Sequence, residues 1–195
     1  MSTDVRDRSR EILRAELADA AADYCAEHGF DSVTADDIAH AIGVSRATFF
    51  RYFGSKEDAV ITAIRSGRVS LADGVRSQPA GVTALAAVRA AITPTIDAVR
   101  ADPDRLRARL LMISTVDGLR ARLSLDRATS RDGLGAALAE RTGDPDAAMA
   151  AAGAAMAAID LAWILWARNT DADIAAEFDR AFALVGAAAE LRLER

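Results

Sequence analysis

Thr34 to Asp58 reads TADDIAHAIGVSRATFFRYFGSKED, and the fold is decided in this stretch. Thr34 is placed to cap a helix with its hydroxyl, and Asp37 three residues on supplies the acid of a capping box. The helix it opens is short: Ile38, Ala39 and Ile42 share one side, and Gly43 permits a tight turn. Ser45 is placed to cap the next helix, roughly Arg46 to Tyr52, in which Phe49 and Phe53 lie four apart and face a core. Gly54 breaks the chain again, and Ser55 opens a fourth helix. Three caps and two glycine stops within about twenty-five residues specify short helices of set length.

Working outward, a helix from about Val5 to His28 precedes this stretch, with Leu13, Leu17, Ala20, Ala21 and Tyr24 forming an apolar face and Gly29 placed to end it. Ser77-Gln78-Pro79-Ala80-Gly81 reads as a connection after about Arg76. Helices are then expected over about Val82–Arg100, with a kink at Pro94, and over Asp104–Ser114, Asp117–Arg141, Pro145–Arg168 and Asp171–Leu193. The reading is all-α: an N-terminal three-helix helix-turn-helix domain over 1–54, and a second helical domain over 55–195.

Composition agrees. Hydrophobic residues make up 51%, aromatics only 5%, and alanine dominates, a mixture that favours helix over sheet. The single cysteine, Cys25, cannot close an internal disulfide, and two histidines leave too few soft ligands for an ordinary zinc site. No cofactor is expected. The charged start (MSTDVRDRSREILR) has no apolar secretory core, so a cytoplasmic location is expected. Ala147 to Trp166 is apolar apart from Asp160, but alanine is weakly hydrophobic and the aspartate costly in lipid, so a buried or interface helix is the expectation.

Catalysis is disfavoured. Cys25 and His28 sit three apart without a third orienting group, and Gly133-Leu134-Gly135 lacks the rest of any phosphate-binding fingerprint. The formal net charge of −5 looks adverse to nucleic-acid binding, but local distribution matters more. Between Val44 and Glu57 stand Arg46, Arg51 and Lys56, the only lysine in the chain, against one acid.

The Thr34–Asp58 stretch closely resembles the helix-turn-helix segment of the TetR family of transcription regulators. The resemblance implies DNA binding by the third helix. Its outer residues Arg46, Ala47, Thr48 and Arg51 are suited to base edges, since arginine reads guanine and a methyl meets the thymine methyl. By the same resemblance Thr34, Tyr52 and Lys56 are expected to hold phosphates, aided by backbone amides at helix N-termini such as that at Ser45. Phe50 departs from the pattern. Many relatives carry tyrosine there, and phenylalanine offers only apolar contact.

The resemblance also implies a homodimer through the last two helices, reading an inverted-repeat operator. Ala147, Ala151, Ala154, Ala155 and Ala158 would allow close helix approach, with Leu184, Ala188 and Leu191 supplying apolar area. Asp104–Arg122, with the later Trp-bearing helix, resembles the branch having an acyl-CoA-like ligand-binding C-terminal domain. The pocket set expected from it is Ile92, Ile96, Leu110, Ile113, Leu119, Leu123, Met156, Ile159 and Trp163, with Arg122 and Asp160 as polar members. Asp160 is expected to be paired, water-bound or functional. The function expected is a ligand-responsive regulator, most often a repressor, released by a small apolar or acyl-type effector. A constitutive DNA-binding regulator is the alternative.

Overall fold

The computed structural model describes residues 2–66 and 70–188, with side chains from residue 6 onward. Among these residues there is no strand. The helices are α1 (Ser2–His28), α2 (Ala35–Ala41), α3 (Arg46–Phe53), α4 (Lys56–Ser66), α5 (Leu71–Arg76), α6 (Ala84–Ala91), α7 (Thr93–Ala101), α8 (Pro103–Thr115), α9 (Asp117–Thr142), α10 (Pro145–Arg168) and α11 (Ile174–Ala187), with a 3-10 turn at Phe30–Ser32.

The chain forms two compact units, Met1–Gly67 with Pro103–Leu125, and Arg68–Asp102 with Asp126–Arg195. The first is larger than the 1–54 segment anticipated from sequence, because α4, α8 and the start of α9 share its core. Phe49, Ile38 and Val60 are buried there together with Met112, Ile113, Leu119 and Leu123. Arg109 of α8 is buried in the same unit, its side chain only 7% exposed. It donates to Asp19 Oδ1 at 2.8 Å, to the Asp19 carbonyl at 2.9 Å and to Asp23 Oδ1 at 3.0 Å. Arg105 grips the same Asp23 at 2.6 Å. Burial would raise the Asp23 carboxyl, but the hydrogen bonds and charges of Arg105 and Arg109 hold it below its ordinary value.

In the second unit the most extensive helix contact is α10 against α11, and α6 packs on both. Trp166 and Phe178 are almost fully buried, and Trp163 meets Phe178 edge-on at 5.0 Å. Helix α10 is long and apolar enough to cross a membrane by length and composition. Its inward face is nevertheless filled by core contacts, from Ala148 to Trp166.

Several expected boundaries shift for physical reasons. Val82–Arg100 is two helices, not one kinked helix: α6 ends at Ala91, and α7 starts at Thr93 with Pro94 in its first turn, where a missing N–H costs nothing. A separate α5, capped by the Ser70 hydroxyl on Asp73 N at 3.2 Å, follows α4. The last helix begins at Ile174, because Asp173 caps it through Ala176 N at 3.0 Å. Leu191 and the end expected at Leu193 lie outside the described residues.

Candidate nucleic-acid interface

The reading head is built by its caps. Thr34 Oγ1 accepts from Asp37 N at 3.2 Å, while Asp37 Oδ2 accepts from Thr34 N at 2.9 Å and from its hydroxyl at 2.6 Å. The capping box is complete, and these bonds to Thr34 lower the Asp37 carboxyl from its usual range. Gly43 (φ 74°) turns the chain into α3, and Gly54 (φ 77°) turns it out. Both angles lie in the left-handed region that glycine enters without strain. Ser45 Oγ accepts from Thr48 N at 3.1 Å and Ser55 Oγ from Asp58 N at 3.0 Å. All three expected caps are present.

These caps fix which face α3 presents. Phe49 and Phe53 are buried, their rings 5.2 Å apart. Arg46, Ala47, Phe50 and Arg51 are exposed, and their spacing puts them on one side of the helix. The expected readers are therefore brought together. Their chemistry is unequal, however. Arg46 is ion-paired to Asp36 of α2 at 2.5 Å, and its guanidinium lies 5.4 Å from the centre of the Phe50 ring. Thr48 is half-buried, and its hydroxyl oxygen accepts from Ser45 Oγ at 3.0 Å. Arg51 lies over the half-buried Tyr52 ring at 5.5 Å.

Lys56, expected at a phosphate, is half-buried and has partners within the protein. Its ammonium donates to the carbonyls of Phe30 at 2.8 Å and Val33 at 3.1 Å, and stands 4.2 Å from the Phe30 ring centre. It braces the connection between α1 and α2 against the start of α4. Composition located this lysine; its partners, more than twenty residues away, left no sequence signal. Neighbouring Cys25 is buried, which pushes its thiol up to about 11 and keeps it protonated at neutral pH.

The expected pocket residues separate. Ile113, Leu119 and Leu123 belong to the core of the first unit, and Leu110 is half-buried in that unit. Arg122 is exposed and paired to Asp58 at 2.5 Å, beside an open groove lined also by Ser55 and Leu125. Ile92, Ile96, Met156, Ile159 and Trp163 are buried in the second unit. Asp160 pairs with Arg127 at 2.5 Å, which satisfies its isolation on an apolar helix. The second unit also holds a cavity of about 150 Å³ bordered by Val75, Val82, Leu138 and Arg141, none of them in the expected set. Among the described residues no group of His, Cys, Asp and Glu could hold a metal ion.

A short, capped, outward-facing third helix set against a tight turn defines a helix-turn-helix protein. Comparison with known proteins takes the assignment further. The family model for bacterial regulatory proteins of the tetR family matches residues 17–61, and the model for the MftR C-terminal domain matches residues 82–190. The chain belongs to the TetR family of transcriptional regulators.

A stretch of 49 residues is 45% identical to a putative mycofactocin biosynthesis transcriptional regulator, MftR, of Mycobacterium tuberculosis, covering 25% of each chain. A stretch of 83 residues is 40% identical to the regulator BetI of Rhizobium meliloti, covering 43% of this chain and 36% of that one. These matches span well under half the relatives' own lengths. In fold, the chain resembles FadR of Bacillus subtilis, crystallised with stearoyl-CoA, with TM-score 0.57, 20% identity, and coverage of 87% of this chain and 95% of that one. Thermus thermophilus FadR, a repressor crystallised with lauroyl-CoA, gives TM-score 0.54 and 24% identity over 92% and 97% of the two chains.

Proposed function

We propose that this protein is a cytoplasmic, ligand-responsive repressor that binds a palindromic operator as a homodimer and is released by a small apolar or acyl-type effector. The observation that carries the DNA reading is the exposed side of α3, where Arg46, Ala47, Phe50 and Arg51 stand together while Phe49 and Phe53 pin the helix from behind. A single short helix reads few base pairs, so useful selectivity calls for two heads on one duplex. In this reading Thr34, Ser45 and Tyr52 present the amide and hydroxyl ends of α2 and α3 to phosphates, and Lys56 holds the α1–α2 connection in place. The division of labour follows the chain: 1–54 reads DNA, and 55–195 senses and dimerises.

Dimerisation through α10 and α11 is supported by apolar side chains left outside the core of the second unit. Met149, Ile164 and Leu184 are 43%, 47% and 48% exposed, and Ala157, Ala183 and Ala187 extend the same character. Such surface favours a partner helix pair over water.

The effector class rests on the bound molecules named for the two FadR neighbours, stearoyl-CoA and lauroyl-CoA. The apolar lining would come from Ile92, Ile96, Met156, Ile159 and Trp163, with Asp160 and Arg127 as a polar pair beside them. Affinity for an operator selected from random DNA, measured with and without saturating stearoyl-CoA, tests the switch. At least a tenfold loss of operator affinity is expected. No change, with no rise in melting temperature, would remove acyl thioesters and favour a constitutive regulator.

A further inference from the structure

We infer that Phe50 is a thymine reader: the centre of the α3 face recognises the C5 methyl groups of thymines in the operator half-site. The inference rests on the DNA reading above and specifies what that face selects.

Phe50 is a large apolar side chain left 39% exposed on a helix whose other phenylalanines are buried. It is not loosely placed. Its ring stands edge-on to the buried Phe49 at 5.6 Å, interplanar angle 89°, and the Arg46 guanidinium covers it at 5.4 Å. Arg46 is itself tied to Asp36 of α2. The ring is thus packed on the core beneath it and flanked on one side by the Arg46 guanidinium. Ala47, three residues earlier and also exposed, lies on the same face.

Two hydrogen-bonding neighbours have duties elsewhere. Thr48 accepts from the cap hydroxyl, and Arg46 is held by a carboxylate. What the middle of the helix offers to a base edge is accordingly apolar: a ring and a methyl. Among the four bases thymine alone presents a methyl group, at C5, in the major groove. A ring pressed against guanine, adenine or cytosine edges would leave polar groups dehydrated without partners, whereas against thymine it buries a methyl. Arg51, exposed at the next position of the face, gives the patch a cationic border suited to the duplex.

The test uses the full-length chain and duplexes recovered from a random thymine-containing library. The selected site is then synthesised with deoxyuridine for thymine, which removes only the methyl, and affinities are compared for wild type, Phe50→Ala and Phe50→Gln. Wild type is expected to lose about fourfold per half-site on deoxyuridine, about sixteenfold over a two-headed site. In both variants the thymine-to-deoxyuridine ratio is expected to fall towards one. Because that ratio is taken on one protein preparation, partial unfolding of a variant cancels. Equal binding of the two duplexes by wild type, an undiminished ratio in both variants, or selected half-sites without thymine would each overturn the inference while leaving the DNA reading intact. Failure to enrich any duplex would overturn both.

Discussion

The two compact units are stabilised in different ways, and the difference explains which of them sequence can describe. In the reading head, positions are set by neighbours a few residues away: Thr34 with Asp37, Ser45 with Thr48, Ser55 with Asp58, and glycines at 43 and 54. In the second unit, positions are set by packing between distant segments, Trp163 against Phe178 and Arg89 of α6 on Asp179 of α11 at 2.7 Å. Local chemistry specifies a surface to within one residue. Distant packing specifies only that a helix has an inside.

The head's unit has long-range contacts as well, and breaking the most buried of its ion pairs, the clamp of Arg109 on Asp19 and Asp23, has the largest expected effect. Arg109→Ala takes the buried guanidinium from Asp19 and leaves Asp23 to Arg105 alone, and a loss of about 2 to 3 kcal/mol is expected in urea unfolding, reduced from the fully buried case because both aspartates reach solvent. Arg100→Ala removes a solvent-exposed pair with Asp173 in the second unit and is expected to change stability far less, because water screens such a pair. Equal losses would erase the contrast. Next in size is Gly74→Ala. A Cβ there would stand 2.6 Å from Ala91 Cβ where α5 meets α6, so overpacking of about 1 to 3 kcal/mol is expected.

Thr34→Ala sharpens the comparison from the other side. Loss of the capping box is expected to cost about 1 kcal/mol, with operator affinity falling more than global stability because the α2 N-terminus frays. Lys56→Met separates bracing from phosphate contact. The ammonium is engaged by two carbonyls, so the slope of log affinity against log salt is expected to stay unchanged while the melting point falls. A phosphate contact would instead reduce the slope by about one per protomer.

The smallest effect is a pH dependence. The folded-state value of Asp23 is depressed, so its contribution is fully present above the unfolded value near 3.9 and is lost as pH falls through the lower folded value. Asp23→Asn is therefore expected to lower stability at pH 7 and to flatten the acid limb of the unfolding curve below about pH 4. An unchanged acid limb would mean that Asp23 carries none of it.

The same contrast sets what was legible beforehand. Thr34, Gly43, Ser45 and Gly54 declared themselves because a cap or a left-handed turn needs a particular residue type at a particular spot. Pro94 was legible as punctuation but not as a boundary, since a proline inside a helix and one opening a helix look alike until the residues before it are placed. Arg109 gave no signal: it stands among Arg105 and Arg107 in an alternating run, and its partners lie over eighty residues away. The pocket set divides between the two units for a related reason. Ile113 and Ile96 both stand at helical spacing from another apolar residue and have the same polarity, and only the path of the chain assigns one to the core of the first unit and the other to the second.

The central claim is that two copies of this head lie side by side on one duplex. Sedimentation equilibrium of the full-length chain with a duplex enriched from random DNA tests it directly. Two protomers on an inverted repeat, with strong preference over random competitor at moderate salt, is the predicted result. A single protomer bound without preference among sequences would contradict it.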